Sequence, residues 1–118
     1  MYNTKDNIVA LATTPGRSAI NVVRCSGPGS LGLYLTLFNS KKTPKPNHSH
    51  LLTLYYNERA VDQMMVTFFK DPKSFTGQDM IEFSTHGGRL VVQRLLLIIQ
   101  EKGFRQALPG EFSYRAFM

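Results

Sequence analysis

The chain has 118 residues, with 14 Lys or Arg against 8 Asp or Glu, for a formal net charge of +6. Its length fits one domain, and 42% hydrophobic against 19% charged residues argues against disorder throughout. The apolar run Leu95 to Ile99 is only five residues long, far short of a membrane span of roughly 20, and the polar start Met1 to Asp6 lacks the core of a secretory signal.

In chain order, Ile8 to Ala12 reads as a short buried strand, stopped by Thr13-Thr14-Pro15-Gly16. Ala19 to Cys25 reads as a second strand, closed by Ser26-Gly27-Pro28-Gly29. Alternation sets Ile20, Val22 and Arg24 on one face and Asn21, Val23 and Cys25 on the other. The short link between the two strands suits a hairpin. Cys25 is the only cysteine, which excludes an internal disulfide framework and fits a reducing compartment; its apolar neighbours make it a small core residue rather than a nucleophile. Leu31, Tyr34, Leu35 and Phe38 then share a helical face.

Asn39 to His50 holds Lys41, Lys42 and Lys45 together with Pro44 and Pro46, so it is neither a regular helix nor a central strand. Residues 1–60 carry seven basic and two acidic groups. A phosphate contact is the functional reading of that loop; a solvated loop is the commoner one. Leu51 to Tyr56 and Met64 to Phe69 read as strands, and Asp71 to Asp79 as a loop. Met80 to Thr85 alternates as a strand, ending at His86-Gly87-Gly88. Arg89 to Lys102 is a helix with a stripe of Val91, Val92, Leu95, Leu96, Ile98 and Ile99, expected to be largely buried. Gly103 suits the position after its C-terminus, with Lys102 in the last turn. Phe104 to Leu108 reads as a final short strand, and Pro109-Gly110-Glu111 opens another helix. The interleaving lacks a strict βα repeat, which points to an α+β domain, a mixed, mostly antiparallel sheet with helices on one face.

Few groups carry chemistry. Glycines after His86 would let a ligand approach the backbone, although a tight strand-to-helix turn explains them as well. Glu82, between Ile81 and Phe83, faces either solvent or a pocket. Arg24 ends an apolar strand, and Arg17 sits on a turn. His48, His50 and His86 lack metal-ligand spacing with Cys25, so no metal is expected, and no nucleophile elbow is present. No G-x-x-x-x-G-K-[ST] loop occurs.

Three segments together carry a specific resemblance: Asn7 to Arg17 with Val22 to Pro28, Ser74 to Glu82 with His86 to Gly88, and Ala107 to Phe117. In order and spacing they resemble the N-terminal domain of the tRNA modification GTPase family called MnmE or TrmE, over essentially the whole chain. The resemblance implies a single N-terminal domain, residues 1–118, that binds a tetrahydrofolate derivative, 5-formyltetrahydrofolate, and forms a homodimer. It implies a fold like the folate-binding part of aminomethyltransferases. Family chains continue into a helical domain and a GTP-binding domain that uses Mg and K. With a flavin-dependent partner of the GidA/MnmG family they modify C5 of the wobble uridine of certain tRNAs in the cytoplasm. The resemblance sets Arg24 and Glu82 on folate-contacting positions, with Arg17, His86, Gly87 and Gly88 as further candidates. A carboxylate suits the donor–donor edge of a pterin, and an arginine suits a folate carbonyl or carboxylate. Gln78 stands where the family usually has Glu. By this resemblance the chain looks like an excised domain without a nucleotide site or catalysis of its own. The rival readings are an RNA-contact module using loop 41–50 and a small free-standing folate enzyme.

Overall fold

The computed structural model describes residues 4–13, 20–86 and 88–118. Among them the chain forms β1 (Ile8–Leu11), β2 (Asn21–Ser26), α1 (Ser30–Leu37), β3 (Ser49–Tyr56), β4 (Arg59–Phe69), β5 (Met80–Thr85), α2 (Gly88–Glu101), β6 (Arg105–Gln106) and α3 (Glu111–Ala116). One sheet has the order β3-β4-β5-β2-β1-β6. Its neighbours are antiparallel except for β1 and β6. This is the α+β architecture expected, with a mixed, mostly antiparallel sheet.

Alternation decides which side is covered. Val9, Val23, Cys25, Val66, Phe68, Ile81 and Phe83 are buried, together with Leu33, Tyr34 and Leu37 of α1 and Val92, Leu95 and Ile99 of α2. Each large side chain hidden there contributes about 1.5–3 kcal/mol relative to exposure. Burial also pushes the Cys25 thiol well above its ordinary pKa, as suits an inert core residue. The opposite face, with Arg24, Glu82 and Thr67, is only half-buried.

Four local expectations change. β4 starts at Arg59 rather than Met64, because the chain turns back at once on β3. Asn57 and Glu58 both take positive φ, 50° and 65°, the geometry of a tight two-residue hairpin that usually shows itself as Asn-Gly. With Glu in the second place, the sequence hides the turn. α2 is amphipathic rather than largely buried: Leu90 and Leu97 are 78% and 63% exposed. Lys102 lies just beyond α2, which ends at Glu101, and Gly103 follows with φ 96°. β6 is shorter than the expected strand, since only Arg105 and Gln106 find partners on β1.

Residues 27–32 have the G-x-G-x-x-G spacing between β2 and α1, a dinucleotide-loop signal when it lies in a parallel βαβ unit. Here β2 is antiparallel to both its neighbours, and the turn is filled by Asn7. The Gly29 amide donates to Asn7 Oδ1 at 2.7 Å. A Cβ on Gly27 would sit 2.5 Å from Asn7 Oδ1 and 2.8 Å from Asn7 Cα. These glycines make room for a side chain of the protein itself, not for a phosphate.

Candidate functional site

The register of β2 against β5 sets Arg24 directly opposite Glu82. Opposed residues of an antiparallel pair share a face, and this is the face away from α1 and α2. Arg24 Nε donates to Glu82 Oε2 at 2.7 Å, with the side chains 38% and 30% exposed. That is the single polar contact of either side chain among the described residues. The four terminal N–H groups of Arg24 and Oε1 of Glu82 therefore keep their hydrogen-bonding capacity for something else. The expectation of two equivalent Glu82 oxygens facing a ligand needs adjusting: Oε2 is shared with Arg24.

The pair belongs to a row crossing the sheet: Ala10, Arg24, Glu82, Thr67 and Ser49 on β1, β2, β5, β4 and β3. At its Arg24 end lies a cavity of about 480 Å³ between β1 and the turn 107–113, within the size range of small-molecule sites. Arg24 lines it, as do Ala10, Ala12, Ala107 and Gly110. Leu11, Leu108, Pro109 and Phe112 complete the walls of this slot. Glu82 stands one strand further on.

Behind the cavity is a second charge cluster, in which each group meets more than one partner. Glu111 is fully buried. Its carboxylate accepts from Arg105 Nη1 at 2.8 Å and Nη2 at 2.5 Å, and from the Leu108 amide at 2.9 Å. Arg105 Nε also donates to Asp6 Oδ2 at 2.5 Å. Arg115, 3% exposed, donates to Asp6 Oδ1 at 2.6 Å and to Gln78 Oε1 at 2.9 Å. Gln78 Oε1 accepts from Ser26 Oγ as well, at 2.7 Å. The hydrogen bonds from Arg105 hold the carboxyls of both Glu111 and Asp6 below their ordinary pKa.

The remaining expected site residues are placed differently. His86 is exposed at the end of β5. Gly88 opens α2 with φ 78°, and a Cβ there would meet open space; its backbone conformation, not crowding, requires glycine. Neither lines the Arg24 cavity. Arg17 and Gly87 lie outside the described residues. Lys41, Lys42 and Lys45 are all exposed in an irregular loop. The wall formed by residues 107–113 was missed as a site element, because Pro109-Gly110-Glu111 reads only as a helix start. A larger hollow, about 970 Å³, lies between the β3–β4 hairpin and α2 near Tyr56, Arg59 and Leu97, and none of the motif residues reaches it.

A half-open charge pair with spare donors and a spare acceptor, beside a slot, marks a candidate ligand site on a domain of α+β class. The particular family follows from comparison with known proteins. The profile described as "GTP-binding protein TrmE N-terminus" matches residues 7–118. The chain is 42% identical over 113 residues to "tRNA modification GTPase MnmE" of Thermotoga maritima, covering 96% of this chain and 25% of that protein. It is 43% identical over 118 residues to the protein of the same name from Cytophaga hutchinsonii, covering 98% and 26%. The chain belongs to the TrmE N-terminal family, corresponding to the N-terminal part of tRNA modification GTPases. It spans about a quarter of the length of the curated relatives it matches. No helix among the described residues is long and apolar enough to cross a membrane.

Proposed function

We propose that this chain is the folate-binding and dimerisation domain of a tRNA modification GTPase. The observation that carries the folate reading is the Arg24–Glu82 pair, bonded through one atom of each side chain and otherwise uncommitted beside the 480 Å³ slot. A folate needs what is left over there. Its pterin edge carries a ring N–H and an exocyclic amino group, which Glu82 Oε1, with the shared Oε2, can accept. A folate carbonyl or glutamyl carboxylate can take the terminal N–H groups of Arg24. The flat pterin suits a slot edged by Ala10, Ala12 and Gly110. When bound, 5-formyltetrahydrofolate supplies a one-carbon unit for C5 of the tRNA wobble uridine. The protein residues hold and orient it; His86 and Gly88 stand outside the lining of the slot.

The rest of the proposal follows the relatives' name and the resemblance. The single domain 1–118 works within a longer cytoplasmic protein that binds GTP with Mg and K, and with a GidA/MnmG family partner and tRNA. Dimerisation is supported by apolar exposure on the uncovered sheet face, where Leu51 and Met65 lie opposite each other on β3 and β4 at 61% and 39% exposure. Sedimentation tests it: a dimer that falls apart in Leu51→Lys supports that face, and a monomeric wild-type protein rejects it. Calorimetry with 5-formyltetrahydrofolate tests the ligand. Saturable binding weakened by Arg24→Ala supports the reading, and no detectable heat at millimolar ligand rejects it.

A further inference from the structure

The segment Ala107 to Phe117 supports family membership, and of its residues only Gly110 enters the contacts proposed so far. Its first half forms the wall of the slot facing β1. The base of that wall is joined to β1 directly, since the Ala107 amide donates to the Val9 carbonyl at 2.9 Å. The turn 108–111 is closed on itself twice: the Glu111 amide donates to the Leu108 carbonyl at 3.0 Å, and Glu111 Oε1 accepts the Leu108 amide at 2.9 Å. The same carboxylate is gripped by both terminal nitrogens of Arg105, which follows the backbone joined to β1 through Arg105 N to Asn7 O, at 3.1 Å. Glu111 is thus tied to the turn on one side and to the β1 edge on the other.

Glu111 lies at the slot without serving it. Its side chain is fully buried, and its oxygens are occupied by Arg105 and Leu108. A group so placed cannot contact a ligand as Arg24 can; it links the turn beyond Ala107 to Arg105. We propose that Glu111 is a positioning residue, which clamps the Leu108–Gly110 turn to Arg105 and so sets the width of the slot that receives the ring system of the folate. The inference rests on the folate reading above. It gives the turn a task as the second wall of the site, with Leu108, 52% exposed, as the side chain that packs on the ring.

The substitution that tests this is Glu111→Gln. The amide keeps one acceptor but turns a donor toward a nitrogen of Arg105 or the Leu108 amide, so one of the two ties is lost while volume is kept. The probe is 5-formyltetrahydrofolate, titrated calorimetrically into the full protein well below its melting temperature, with Leu108 amide hydrogen exchange followed in parallel. Glu111→Gln is expected to bind about tenfold more weakly, and Leu108→Ala about threefold, with faster Leu108 exchange in the first variant. A purely structural role would lower the melting temperature and leave the affinity of the folded protein unchanged. Wild-type affinity in folded Glu111→Gln overturns the inference. If that variant does not fold, wild-type affinity in Leu108→Ala overturns it, since trimming a half-exposed side chain leaves the core intact. The folate reading fails separately, when the wild-type protein does not bind or Arg24→Ala binds as the wild type does; its failure overturns both.

Discussion

Two charge clusters stand on the same side of this molecule and differ in what they leave unfinished. In the Asp6–Arg105–Glu111–Arg115 cluster, a fully buried carboxylate and a nearly buried guanidinium are matched by opposite charges and hydrogen bonds. In the Arg24–Glu82 pair, one bond joins two half-exposed side chains and the other donors and acceptor remain open. The first arrangement holds chain segments that are distant in sequence: the N-terminal segment, β6, the loop before β5, and α3. The second holds nothing together that the β2–β5 ladder does not already hold. Charged residues bonded to several partners tie the fold here, and the pair bonded only once is the one proposed to hold a ligand.

The largest expected effect breaks the first cluster. Glu111→Ala removes the buried one of the two carboxylates that Arg105 and Arg115 share and is expected to cost about 3 kcal/mol, as for other broken buried ion pairs. Denaturant unfolding measures it. In the same experiment Glu82→Ala, which removes a half-exposed pair, is expected to change stability by no more than about 1 kcal/mol. Similar losses in both variants would erase the distinction between the clusters.

Acid sharpens the same contrast. Asp6 and Glu111 have folded-state pKa values lowered chiefly by the hydrogen bonds from Arg105. A lowered folded pKa contributes stability that is present above the unfolded value and is lost as pH falls through the folded one. Melting temperature should therefore hold near neutrality and decline below about pH 4. The decline should be shallower in Glu111→Gln, which has lost that titrating group. An equal acid slope in the two proteins would contradict the assignment.

Much of this was legible in the sequence, and the gaps have physical causes. Strand alternation set Arg24 on the face opposite Val23 and Cys25, and the burial of those two bears it out, while Glu82 was left open between solvent and a pocket. The bond between Arg24 and Glu82 was not legible, because register between strands 58 positions apart in the chain is a tertiary property. Glu111 was hidden for a related reason. A glutamate at the start of a helix is ordinary in sequence, favoured by the helix dipole; only the arrival of Arg105 makes it a buried tie. The β3–β4 turn escaped because Asn57-Glu58 adopts a conformation that sequence usually marks with glycine. α2 was judged too buried because its apolar residues outnumber the stripe that packs, leaving Leu90 and Leu97 outside.

The smallest expected effect concerns the basic loop. Replacing Lys41, Lys42 and Lys45 by Glu should leave folate affinity unchanged, since these exposed side chains lie apart from the Arg24 slot. A drop in tRNA affinity in that variant, steep in salt for the wild type, would instead favour the RNA-contact reading of the loop.

The measurement that bears most directly on the central claim is the titration of 5-formyltetrahydrofolate into wild-type protein and Glu82→Ala. The account expects saturable binding by the wild type, weakened in the variant by at least about 1–3 kcal/mol because the pterin donors lose their charged acceptor, with both proteins melting at nearly the same temperature. Equal affinity in the two proteins would contradict it.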